Sequence, residues 1–285
     1  MGTLIAPVEL SVLLDSVSTH DDVVVVDCRF TLGQPEQGRR SYDQGHLPGA
    51  FFLDLELDLS GPVTAGLTGR HPLPSLDALA TRLGQMGVGA GTHVVAYDEA
   101  TGAFAARLWW LCRFLGHDDV QVLDGGLARW VAEGNPLARE LPSARPKDFS
   151  TMFLRADSIV AADEIEALAE REGARLFDAR AADRFRGENE TIDPVAGHIP
   201  GARSLPFLDN LENGRFKSRE QLRARYAEAL GATATEQAIV YCGSGVTACH
   251  AILAAEHAGL GSMRLYPGSF SEWITDPARP VVVGA

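Results

Sequence analysis

Short apolar runs, set apart by amphipathic stretches, give this chain its rhythm. Val23-Val24-Val25-Val26, Val94-Val95-Ala96-Tyr97, Arg175-Leu176-Phe177 and Ala238-Ile239-Val240-Tyr241 are too brief for helices and fit buried strands. Between them, Leu76 to Leu83 and Gln221 to Leu230 repeat apolar residues at helical spacing. Strands without polar alternation, separated by amphipathic helices, predict an α/β fold: a mainly parallel sheet with helices on both faces. Ligands are then expected beyond the carboxyl ends of the strands.

The pattern occurs twice. Asp27-Cys28-Arg29 after the valine run is matched by Asp178-Ala179-Arg180. Gly45-His46-Leu47-Pro48-Gly49-Ala50 returns as Gly197-His198-Ile199-Pro200-Gly201-Ala202. Val94 to Asp98 parallels Ala238 to Cys242, and Asp124-Gly125-Gly126 through Trp130 parallels Tyr266-Pro267-Gly268 through Trp273. Ordered matches at nearly constant spacing predict two tandem homologous domains, residues 1–138 and 152–285. The joint is placed at 137–150, where Pro142 and Pro146 stand among polar residues. His46 and His198 occupy the same turn in both halves, which favours a structural role.

Composition narrows the function classes. The chain has 285 residues, 46% apolar and 22% charged, a globular balance. No 18-residue apolar run predicts a membrane span, and the first ten residues lack the basic-then-apolar order of a secretory signal. The four cysteines, Cys28, Cys112, Cys242 and Cys249, have no metal-ligand spacing, so a reducing, cytoplasmic setting is expected. A net charge of −13 argues against nucleic acid or an anionic membrane as partner. An anionic ligand would need a locally basic pocket.

The candidate chemistry lies in Tyr241-Cys242-Gly243-Ser244-Gly245-Val246-Thr247-Ala248. It follows a predicted strand and precedes a predicted helix, roughly Val246 to Glu256. The helix start supplies unpaired N–H groups and positive potential, and the glycines let the backbone curl. A thiolate or a persulfide is an anion and is stabilised there, so Cys242 is expected to be a nucleophile. The alternative is a buried, inert cysteine in a turn. Two further readings fit poorly. Gly-x-Gly-x-x-Ala matches the loose dinucleotide fingerprint, but no acid ends the next strand, Met263 to Tyr266. A Cys-x5-Arg phosphatase loop would need arginine where Ala248 stands. The first half has Asp98 opposite Cys242, so it carries the fold without the thiol. Cys249, two helical turns beyond Cys242, is expected to pack within the helix, and Cys28 and Cys112 to be buried.

Cys-Gly-Ser-Gly-Val-Thr-Ala resembles the active-site loop of the 3-mercaptopyruvate sulfurtransferases of the rhodanese superfamily. In the related thiosulfate sulfurtransferases the two residues after the cysteine are typically basic, whereas Gly243 and Ser244 are neutral. The resemblance spans nearly the whole chain. It implies two rhodanese-like domains, with only the second catalytic, and no metal or organic cofactor. It implies sulfur transfer from a small anionic donor through a Cys242 persulfide to cyanide, a thiol or a thioredoxin-like acceptor. Loop N–H groups from Gly243, Gly245, Val246 and Thr247 would hold the sulfur. Arg184 matches the arginine that grips the donor, while Arg180 matches a structural arginine. A second arginine often follows in that branch, but Glu188 to Ala196 holds none, and Arg186 is the nearest substitute. Ser244, His71 and a carboxylate at Glu56 or Asp54 match a proposed proton relay. Thiosulfate sulfurtransferase is the alternative activity, and a non-catalytic sulfur carrier or interaction module is the rival from another class.

Overall fold

The apolar runs become the inner strands of two parallel sheets. The structure is a computed structural model that describes residues 2–16, 22–149, 154–168 and 175–284. Two compact units emerge. One comprises Met1–Gly61, Leu73–Arg155 and Asn213–Arg215; the other comprises Pro62–Pro72, Ala156–Glu212 and Phe216–Ala285. The segment Pro62–Pro72 thus packs with the second unit although it lies in the first half of the sequence.

The first unit runs β1 (Leu4–Ile5), α1 (Pro7–Ser16), β2 (Val23–Asp27), α2 (Gln37–Gln44), β3 (Phe51–Phe52), α3 (Leu76–Gln85), β4 (His93–Tyr97), α4 (Ala103–Phe114), β5 (Val120–Leu123) and α5 (Gly126–Ala132). Its strands form one parallel sheet in the order β1-β5-β4-β2-β3. Every residue of β4 and β5 is buried, which explains why these strands read as unbroken apolar runs. The second unit runs α6 (Ala162–Leu168), β6 (Arg175–Asp178), α7 (Ala182–Arg186), β7 (Ala202–Ser204), the paired strands β8 (Leu211–Glu212) and β9 (Arg215–Phe216, of which Arg215 groups with the first unit), α8 (Arg219–Leu230), β10 (Ala238–Tyr241), α9 (Thr247–His257), β11 (Arg264–Leu265) and α10 (Ser269–Trp273). Its main sheet, β11-β10-β6-β7, is also parallel. Ser218 and Gln221 close a reciprocal capping box at the start of α8. No described helix is long and apolar enough to cross a membrane.

The sequence repeat is a repeat of contacts. Arg29 pairs with Asp27 at 2.7 Å and donates to the Gly45 carbonyl; Arg180 pairs with Asp178 at 2.6 Å and donates to the Gly197 carbonyl. Tyr97 Oη accepts from the Leu47 amide as Tyr241 Oη does from the Ile199 amide. His46 stacks on Tyr42 and His198 on Phe185, each with Nδ1 against a carbonyl of the preceding helix. The indoles of Trp130 and Trp273 each donate to the carbonyl of a following proline, Pro136 and Pro280. These buried ion pairs and stacked rings give both Gly-His-x-Pro-Gly turns a structural function.

Buried imidazoles set an acid limit on stability. Burial holds His93 and His117 below the ordinary histidine range, and their Nε2 atoms have no hydrogen-bond partner among the described residues. His257, at the end of α9, is pushed down to about 4 by burial and then by Arg219. In the unfolded chain these rings titrate near ~6.5. Below that pH the unfolded state binds more protons, so their contribution is complete above it and is lost as pH falls toward the depressed folded values. We expect Tm to drop by at least about 2–4 °C between neutral pH and pH ~5, the shift that ~1 kcal/mol makes in a chain of this size. Thermal melts across pH should show a smaller drop in His257→Gln; an unchanged slope would remove His257 from this account.

Candidate active site

Cys242 follows the last residue of β10, and five residues later α9 begins. The loop between is fixed from both sides. The Cys242 amide donates to Ser269 Oγ at 3.1 Å, and that hydroxyl donates to the Tyr266 carbonyl. The Cys242 and Gly243 carbonyls accept from the amides of Phe270 and Ser271. Gly245 has φ +77°, and a Cβ there would stand 2.3 Å from the Pro267 carbonyl oxygen, so only glycine fits. The loop therefore turns tightly and leads directly into the N-terminus of the eleven-residue helix α9. Cys242 is 2% exposed.

The first unit shows what this loop geometry holds. There the Asp98 and Glu99 carbonyls accept from Leu127 and Ala128, as those of Cys242 and Gly243 accept from Phe270 and Ser271. The Asp98 carboxylate curls into its own loop and accepts from the amides of Ala100, Gly102, Phe104 and Ala105, at 2.9 to 3.4 Å. A carboxyl side chain, its pKa raised by burial against the pull of these amides, fills the cradle in one repeat, and a cysteine occupies the matching position in the other.

Around Cys242, Gly243, Ser244, Gly245, Val246 and Thr247 the second unit gathers polar side chains. Ser244 Oγ and His71 Nδ1 share a hydrogen bond of 2.7 Å, both side chains being buried. Arg184, on α7, reaches the loop: its Nη1 and Nη2 lie 3.7 Å from where a Cβ on Gly243 would be. Its Nε and Nη2 hold Glu190, and Nη2 also holds Asp193 at 2.9 Å. Burial raises the Glu190 pKa, but the Arg184 hydrogen bond and the Asp193 and Ile192 amides outweigh it, leaving the carboxyl below its usual range. Glu190 also touches Arg180, whose guanidinium lies 4.0 Å from the Phe270 ring centre. Arg180 is thus a structural cation beneath the site. Asp54 and Glu56 belong to the first unit. Asp54 Oδ1 accepts from the Glu56 and Leu57 amides, a turn-capping arrangement, while the Glu56 side chain is exposed.

Sequence reasoning missed Arg70, Glu190, Asp193 and Ser269. Arg70 Nη1 pairs with the Asp193 carboxylate, and Arg70 Nη2 lies 2.9 Å from a Cβ built on Gly243. Arg186, the expected substitute for a second arginine, instead pairs with Glu188 at the surface. The other thiols are closed in. Burial, then Asp27, pushes Cys28 well up; burial lifts Cys112 to about 12; and Cys249 donates to the Gly245 carbonyl at 3.2 Å. Among the described residues no group of three or more His, Cys, Asp or Glu side chains is arranged to hold a metal ion.

A rhodanese-like domain model matches residues 8–133 and again 161–276. The chain belongs to the rhodanese family. It is 51% identical over 93% of its length to "Probable 3-mercaptopyruvate sulfurtransferase" of Pseudomonas aeruginosa, covering 94% of that protein. It is 36% identical to the thiosulfate sulfurtransferase of Bos taurus, over 87% of this chain and 84% of that one. The solved structure of 3-mercaptopyruvate sulfurtransferase from Leishmania major superposes with a TM-score of 0.81 at 32% identity, covering 95% of this chain and 74% of that one. This member of the rhodanese family is an enzyme of the sulfurtransferase type, with two tandem rhodanese-like α/β domains.

Proposed function

We propose that this rhodanese-family enzyme moves sulfur from 3-mercaptopyruvate through a persulfide on Cys242. One observation carries the reading: the thiol sits in the loop position where the inert repeat stores the Asp98 carboxylate. The Cys242 thiolate attacks the donor sulfur. An S–S bond forms, the C–S bond breaks, and its electron pair goes to the carbon as the enolate of pyruvate. A proton then converts the enolate to pyruvate. Ser244, hydrogen-bonded to His71, passes it on: the hydroxyl gives a proton to carbon and regains one through His71, the donor S–H losing its proton as the persulfide becomes charged. Amides of Gly243, Gly245, Val246 and Thr247 hold the charged sulfur, and Arg184 orients the donor carboxylate. An acceptor takes the outer sulfur: with cyanide, thiocyanate leaves and the thiolate returns. A small thiol or a thioredoxin-like protein would act in the same way.

Thiosulfate is the second reading, since two guanidinium groups beside Gly243, Arg184 and Arg70, would suit a dianion as well as a carboxylate. The uncharged Gly243 and Ser244 and the 51% relative favour mercaptopyruvate. The test is kcat/KM for both donors, side by side, with cyanide as acceptor. We expect mercaptopyruvate to lead by about tenfold or more, the worth of one charge-assisted contact. A lead for thiosulfate would reverse the assignment, and no turnover with either would favour a sulfur carrier or interaction module.

A further inference from the structure

Two guanidinium groups meet at Gly243, and they come from different halves of the sequence. Arg184 arrives on α7, and Arg70 arrives on the segment Pro62–Pro72 that packs with the second unit. Asp193, with a side chain 1% exposed, ties them together: Oδ1 pairs with Arg70 Nη1 and Oδ2 with Arg184 Nη2. One carboxylate thereby fixes one edge of each fork. Arg70 Nη2 and Arg184 Nη1 lie 2.9 and 3.7 Å from the point a Cβ on Gly243 would occupy. The space that a side chain at 243 would fill is therefore lined by N–H donors.

The Arg70 backbone is as firmly placed as its side chain. Its amide donates to Ser271 Oγ at 3.0 Å, and the Ser271 amide donates to the Gly243 carbonyl at 2.9 Å. A Cβ on Gly69 would meet the Gly268 carbonyl oxygen at 2.5 Å, so this segment lies directly against α10. The Arg70 Nε donor is buried with no partner among the described residues. A buried donor left without an acceptor is costly.

We propose that Arg70 is the second guanidinium of the donor site, which with Arg184 takes the donor's carboxylate beside Cys242, Asp193 holding the two forks at the spacing that carboxylate needs. This rests on the donor reading above. It supplies the cation that the loop Glu188 to Ala196 lacks. A Cβ on residue 243 would stand 2.9 Å from Arg70 Nη2, so a side chain there would have to displace the guanidinium. Donor specificity is then set partly from Gly69-Arg70-His71, where His71 serves Ser244 and Arg70 serves the donor.

The experiment uses the full chain with Arg70→Gln and Arg70→Lys. With 3-mercaptopyruvate we expect Arg70→Gln to raise KM by about 10- to 100-fold with kcat within ~3-fold, and Arg70→Lys to fall between, since lysine keeps charge but not the fork. Cyanide discharge of a preformed persulfide involves no carboxylate and should keep its native rate. Methylguanidine should restore part of the loss in Arg70→Ala. A second measurement needs no sulfur transfer: pyruvate, which keeps the carboxylate and the ketone, should bind Cys242→Ser detectably by NMR, and about tenfold or more weaker once Arg70→Gln is added. A native KM in Arg70→Gln, or equal pyruvate binding with and without Arg70, overturns the proposal. So does a matched loss of discharge rate, which would make Arg70 merely structural. If native enzyme turns over no mercaptopyruvate, the donor reading fails, and the pyruvate titration still decides whether Arg70 grips a carboxylate.

Discussion

Cys242→Ser should fold like the native chain and turn over neither donor, with residual activity below about one part in 10³. A serine hydroxyl fits the loop, where the Cys242 amide and carbonyl are already held by Ser269 and Phe270. What it lacks is a sulfur that ionises and can carry a second sulfur. No other thiol can take over. Cys28 and Cys112 are buried at 1% and 0% exposure with their ionisation pushed up, and both lie in the first unit. Cys249 is buried inside α9, with its S–H directed at the Gly245 carbonyl. Substitutions of these three should therefore keep most of the activity. Intact mass after donor treatment should rise by about 32 Da, one sulfur, on the Cys242 peptide and revert with cyanide. A folded Cys249→Ser that is equally dead would replace this single-thiol scheme with a dithiol one.

The apolar runs announced the sheets because strands buried on both faces leave no polar alternation to confuse them; β4 and β10 are buried at every residue. The repeat was legible for a related reason. Asp27 and Asp178 are each locked to an arginine two positions on, and such a local buried pair leaves its mark in sequence. Cys242 and Arg184 stand next to strong local signals. Ser244 and His71, 173 positions apart, were linked only through family resemblance, and the structure brings them to 2.7 Å. Arg70 and Asp193 had no such guide. Their pairing spans 123 positions, and it depends on Pro62–Pro72 packing with the second unit, which no periodicity encodes. The one available clue was adjacency, since Arg70 precedes the nominated His71. The acids of the loop Glu188 to Ala196 carry no local pattern that ties them to an arginine. In the fold, Glu190 and Asp193 hold the arginine that is there and recruit another.

Ser244→Ala should separate the two donors. Sulfur leaving mercaptopyruvate creates a carbanionic enolate that must gain a proton, whereas sulfur leaving thiosulfate releases sulfite, which needs none. A hydroxyl placed to deliver that proton matters for the first donor alone. Ser244 Oγ is 2.7 Å from His71 Nδ1 and only two residues from Cys242, so the pair can relay a proton beside the reacting sulfur. General acid catalysis of this kind contributes about 10²-fold or more. We therefore expect Ser244→Ala, and His71→Gln more mildly, to lower kcat with mercaptopyruvate by ~10²-fold. Thiosulfate turnover and cyanide discharge should stay within about threefold, because neither moves a proton to carbon. The native solvent isotope effect on pyruvate formation should change in the variants if proton delivery has become limiting. An equal loss on both donors would mean that the Ser244–His71 bond only shapes the loop. Unchanged mercaptopyruvate turnover would mean that water protonates the enolate and that the buried pair has no part in the chemistry.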